Sequence, residues 1–124
     1  MKFATLIVIF FALAGCSTSG GIQPGSGSTF EVQGRSYDDV WTAAVTVSTR
    51  IITIESSDKA TGKISGHVRA GITTWGEVVA VFITQKGDMN HTVEVVSNKR
   101  SKLQVTGQNW EQTIIAGIKA ELNM

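Results

Sequence analysis

One cysteine, one proline and one tyrosine among 124 residues leave few of the side chains on which familiar chemistries are built. A single cysteine excludes an internal disulfide, so Cys16 is a free thiol or is used for something else. Neither sign of charge forms a block: 11 Lys and Arg stand against 10 Asp and Glu, for a net charge of +1. That scatter excludes the basic footprint of a nucleic-acid binder and a polybasic tail for anionic lipid. The longest apolar run, FATLIVIFFALA near the start, falls short of the about 20 residues that cross a bilayer comfortably as a helix. Glycines are plentiful, at 13, but form neither a Gly-x-Gly-x-x-Gly nor a P-loop, and no Gly-x-Ser-x-Gly elbow occurs.

What is present at the N-terminus is ordered. Met1-Lys2, the apolar run and a close in small residues follow the layout of a secretory signal. The junction Leu13-Ala14-Gly15-Cys16 resembles a bacterial lipobox. The resemblance implies removal of residues 1–15 by a cut between Gly15 and Cys16, then a diacylglyceryl thioether on Cys16 and a fatty-acyl group, of the palmitate kind, on its amino group. Two or more chains hold stably because each buried methylene contributes about 0.8 kcal/mol. Ser17 resembles the outer-membrane class of such proteins, which implies a periplasm-facing, lipid-anchored location in the cell envelope. An ordinary signal peptide with a stray cysteine, or a short anchor left in place, is the alternative.

Residues 17–29, STSGGIQPGSGST, have no apolar period and the composition of a flexible tether. About 13 such residues reach roughly 20 Å on average, enough to lift a domain off a lipid surface and let it reorient. The folded part is expected over residues 30–124, a single domain with a modest core.

From Phe30 the pattern alternates as a strand, and Ser36 then offers an N-cap with Asp38 and Asp39 in the first turn. Tyr37, Val40, Trp41, Ala44, Val47 and Ile51 fall at helical spacing, predicting a helix over 37–50. Strands are expected over 51–55, 63–70, 77–85, 91–97 and 102–106, separated by Gly-, Asn- and Asp-rich turns. Asn109, with Gln112 three residues on, caps a last helix whose stripe is Trp110, Ile114, Gly117, Ile118 and Leu122. The expected class is α+β, an antiparallel sheet with two helices packed on one face, in the order β-α-β-β-β-β-β-α.

The YDDVW helix entry, the TGKISG hairpin and the closing NWEQTIIAGIKAEL helix resemble a group of small bacterial lipoproteins of largely unknown function. The topology is similar to the BamC-like periplasmic helix-grip domains. This likeness implies a fold and an envelope setting; a shared fold transfers no function.

Candidate chemistry is sparse. Strand parity points His67 away from the helices and His91 toward the core, so the two face opposite sides of the sheet and no metal site is expected. Ser65 and His67 share a face without an evident third member. Asp38 and Asp39 read as helix-start residues rather than paired catalytic carboxylates. No cofactor motif and no enzymatic site are expected.

Two features point to binding instead. Trp41 and Trp110 lie on apolar helix stripes, whereas Trp75 sits in the polar connection AGITTWGE, where a large aromatic is a candidate anchor or folds back to cap the core. The strand EVVAVFIT is apolar on both faces; Val78 and Phe82, with Val96, would form a patch on the open side of the sheet. The leading expectation is a non-enzymatic, lipid-anchored envelope protein. It would bind another envelope component, or a copy of itself, through Trp75, Val78, Phe82 and Val96. The alternative is a periplasmic carrier holding a small apolar ligand between helices and sheet.

Overall fold

Ser36 stops one element and starts the next. Its hydroxyl accepts a hydrogen bond from the Asp39 amide at 3.1 Å, and the chain that has left a first strand turns into a helix. The fold was obtained as a computed structural model, in which residues 22–68, 76–98 and 109–124 are described. The elements run β1 (Ser28–Gln33), α1 (Tyr37–Ile51), β2 (Thr53–Asp58), β3 (Lys63–His67), β4 (Val78–Gly87), β5 (Asn90–Asn98) and α2 (Trp110–Glu121). The protein is therefore α+β, with a five-stranded antiparallel sheet in the order β1-β5-β4-β3-β2 and two helices on one face. The further strand expected over 102–106 lies outside the described residues.

Strands β2 to β5 form a meander, and β1 closes the far edge against β5 with Phe30 opposite Val93 and Val32 opposite His91. One parity of the sheet, Val32, Ile64, Val79, Val81, Ile83, Val93 and Val95, is buried beneath the helices. The helices answer with Val40, Ala44 and Val47 from α1 and Ile114, Ile115 and Ile118 from α2. Each large aliphatic side chain taken fully out of water contributes about 1.5–3 kcal/mol before entropy is counted. The layer between helices and sheet is thus filled by the protein's own side chains.

Local chemistry fixes the ends. Asn109 Oδ1 accepts from the Gln112 amide at 3.2 Å, capping α2 as the sequence predicts. Glu111, in the first turn of α2, reaches across to the sheet: its carboxylate accepts from Ser28 Oγ at 2.7 Å and from the Ser97 amide and hydroxyl at 3.0 and 3.1 Å. Helix α2, β1 and β5 are joined by that one side chain. At the other end the Arg35 guanidinium donates to the Leu122 carbonyl, and Arg50 pairs with Glu121 between the helices at 3.1 Å.

The composition of 17–29 reads as free tether, but its second half is laid on the sheet. β1 begins at Ser28 rather than Phe30. Ahead of it, Ile22 is only 7% exposed and packs against Ala80 and Val96. Glu94 Oε2 accepts hydrogen bonds from the amides of Gly25 and Gly27, both at 2.8 Å. Gly27 lies so close to β5 that a Cβ there would stand 2.2 Å from the Val95 carbonyl oxygen, so only glycine fits. Residues 22–27 form a strap across the sheet face that carries no helix.

Candidate functional site

That face is built from the second parity of each strand. Across its middle run Thr29, Glu94, Phe82, Lys63 and Asp58, each the cross-strand neighbour of the next. Lys63 Nζ stands 5.7 Å from the centroid of the Phe82 ring, a cation–π distance. On one side of this row Val96, Ala80, Ser65 and Ser56 follow one another; beyond them come Asn98, Val78, His67 and Thr53. On the other side Thr92 Oγ1 donates to the two carboxylate oxygens of Glu31, at 3.0 and 2.9 Å.

The expected patch is real in its position and different in its exposure. Val78 and Phe82 are half-buried and sit beside Ile22. Val96, expected at the surface, is 1% exposed, and Ala80 is fully buried. The strap explains this: Ile22 rests on both and takes the place an outside group would occupy. The apolar strip open to solvent on the described part of this face is therefore Val78 and Phe82, flanked by the carboxylates of Glu94 and Asp58 and the Lys63 ammonium. Trp75, Gly15 and Cys16 lie outside the described residues. The residue after Trp75, Gly76, is buried, with φ of +84°.

The histidines fall on opposite sides of the sheet, as their parity predicts. His67 lies on the strap side, and its Nδ1 is 2.9 Å from Glu55 Oε2, a contact on the exposed rim. Glu55 occupies the irregularity in β2–β3 pairing between Ile54 and Ser56, which turns its side chain to His67. Sequence parity does not foresee that bulge. His91 is completely buried and its Nε2 donates to the Arg35 carbonyl at 2.8 Å, while Nδ1 has no hydrogen-bond partner among the described residues. The Tyr37 ring meets the imidazole edge-on at 5.8 Å. This histidine ties the β1–α1 connection to β5.

Among the described residues no group of three or more His, Cys, Asp or Glu is arranged to hold a metal ion. Nor is any helix among them long and apolar enough to cross a membrane. Grooves occur at the rim: one of about 380 Å³ is lined by Tyr37, Lys59, Thr61 and Gln85, and another of about 310 Å³ by Arg35, Asp39 and Glu121. In the first, Tyr37 Oη donates to the Lys59 carbonyl at 2.7 Å, and the phenol pKa is raised above its ordinary 10.0 chiefly by burial, Lys59 opposing the rise and Asp58 adding to it.

In comparisons with known proteins, no family model matches the chain and no curated protein does.

Proposed function

We propose that the protein is a non-enzymatic lipoprotein of the bacterial cell envelope, anchored through Cys16, which binds another envelope protein on the helix-free face of its sheet and the Trp75 connection. The observation that carries the binding half is the second apolar parity of β4: Val78, Ala80 and Phe82 face away from the helices, and among the described residues Ile22 packs over part of them. An antiparallel sheet with one face to solvent ordinarily alternates apolar with polar residues. Here the outward positions are apolar in three consecutive places. Beside them, the carboxylates and Lys63 supply a polar rim of the kind that surrounds a contact core. The anchoring half rests on Leu13-Ala14-Gly15-Cys16 at the end of the apolar run.

The packing of Val47, Val79, Val81, Ile114 and Ile118, all at most 1% exposed, favours an outer binding face over a ligand held between helices and sheet.

Two measurements test this. The intact mass of membrane-extracted protein should show a mature N-terminus at Cys16 with a lipid-sized increment that a Cys16→Ser variant lacks. Partners captured from envelope extracts by the wild-type protein should be lost with Phe82→Ser and with Trp75→Ala. Unchanged capture and an unchanged oligomeric state in both variants would rule out the face.

A further inference from the structure

We infer that the strap is the resident occupant of a peptide-binding site. In its place the helix-free face takes an extended, glycine-containing segment of the partner led by an aliphatic side chain. The inference rests on the proposed binding at this face and adds what the partner presents to it.

The strap itself displays the recognition. Ala80, short between Val78 and Phe82, gives Ile22 room to seat against Val96, and Ile22 is left 7% exposed. Three and five residues on, the Gly25 and Gly27 amides donate to the same oxygen, Glu94 Oε2, both at 2.8 Å. A carboxylate that receives two backbone N–H groups reads main chain, and such charge-assisted bonds are about twice as strong as neutral ones. Shape demands the glycines: Gly25 has φ of +117°, and a Cβ on Gly27 would strike the Val95 carbonyl oxygen. The face therefore specifies an aliphatic residue with glycine at the third and fifth positions after it. Between these, Gln23, Pro24 and Ser26 are exposed, so their identity is open.

The strap can lift without dismantling the fold. Pairing of β1 with β5 begins at Ser28, whose hydroxyl is also fastened to Glu111, so Ser28–Gln33 stay in place when residues 22–27 leave. Ile22, Ala80 and Val96 form a cluster apart from the core beneath the helices. A partner segment also reaches surface that the strap leaves open. Val78 and Phe82 remain half-buried beside Ile22, and Lys63 Nζ stands 5.7 Å from the Phe82 ring. A second apolar side chain laid over Phe82 removes that surface from water, which offsets the advantage the strap has from belonging to the same chain.

Photo-crosslinking of the strap sequence in trans tests this. The full-length protein in phosphatidylcholine vesicles is irradiated with a peptide of residues 22–29, IQPGSGST, carrying a photoreactive leucine at its first position. A peptide concentration of about 1 mM matches a contact of one side chain and two amides. The Ile22→Ser protein, whose seat is vacant, should crosslink within 78–82 or 94–98 about tenfold more than the wild type, whose own strap fills the site. Ile22→Ala, a milder opening, should fall between them. A peptide with alanine in place of both glycines should lose the crosslink, as should Glu94→Ala combined with Ile22→Ser. No crosslink in these segments with either Ile22 variant, a yield equal to that of the wild type, or a crosslink that the alanine peptide keeps overturns the inference. If the peptide fails while partner capture still depends on Phe82, the binding face stands and the strap is a fixed part of the fold. If the peptide crosslinks as expected while capture ignores Phe82 and Trp75, the peptide site stands and the proposed reading of the captured partners falls on its own.

Discussion

Gly117 of α2 lies directly against Val47 of α1: a Cβ built on Gly117 would stand 2.7 Å from Val47 Cγ1 and 3.4 Å from Cγ2. The two helices cross where one of them has no side chain, and the valine of the other fills the gap.

Gly117→Ala sets two effects against each other. Alanine favours the helix by about 1 kcal/mol over glycine, whereas forcing a methyl into a packed contact costs about 1–3 kcal/mol. The second is expected to win, lowering the urea midpoint. Val47→Ala in the same chain should recover part of the loss, and a double-mutant cycle should return a coupling of about 1 kcal/mol. Additive effects would mean that the helices slide apart instead.

Tyr37 is the only tyrosine, so phenolate absorbance reads it alone. Because burial raises its pKa, the folded chain keeps the phenolic proton where the unfolded chain, near 10.0, has released it. Stability is therefore untouched below that pH and falls as pH rises through and beyond it. The folded protein should titrate above 10.0 and the urea-unfolded protein near it. In Tyr37→Phe this alkaline loss of stability should be absent.

Glu111→Ala removes the acceptor shared by Ser28 and by both Ser97 donors. Loss of such partly buried bonds costs about 1–3 kcal/mol. Glu111→Gln, which keeps one acceptor oxygen, should cost less. Denaturant titration of the pair gives the order directly.

Ile22→Ser should uncover Ala80 and Val96 without disturbing the core beneath the helices. Binding of an apolar dye should rise, while the thermal midpoint drops by the few degrees that about 1–2 kcal/mol represents in a domain of this size. Unchanged dye binding would mean that another group closes the patch.

How much of this was legible follows from the range over which each feature is determined. The caps Ser36 and Asn109 act on amides three residues away, Asp39 and Gln112, and short-range chemistry of that kind can be read from the chain. Strand parity likewise places His67 and His91 on opposite faces. Ile22 was hidden because a single apolar residue in a Gly- and Ser-rich run has no period. The signal that would have found it is the open apolar parity of β4, which calls for a cover. The burial of Val96, which lies on the expected face, was hidden for the same reason. Glu55 meets His67 through a bulge, and Glu111 meets Ser28 across 83 positions; both depend on pairing that only the folded sheet determines.

The placement of β1 bears on how the chain comes together. Strands β2 to β5 can zip as neighbours in sequence, but Ser28 must find Val95. A chain emerging N-terminus first carries β1 and the strap unpaired until β5 has followed, and such distant closures are the slow step in reaching a native sheet. The Phe30 and Val32 amides are accordingly expected to gain exchange protection later in refolding than those of Val79 and Val81, and the strap, which needs β5 complete, to close last of all.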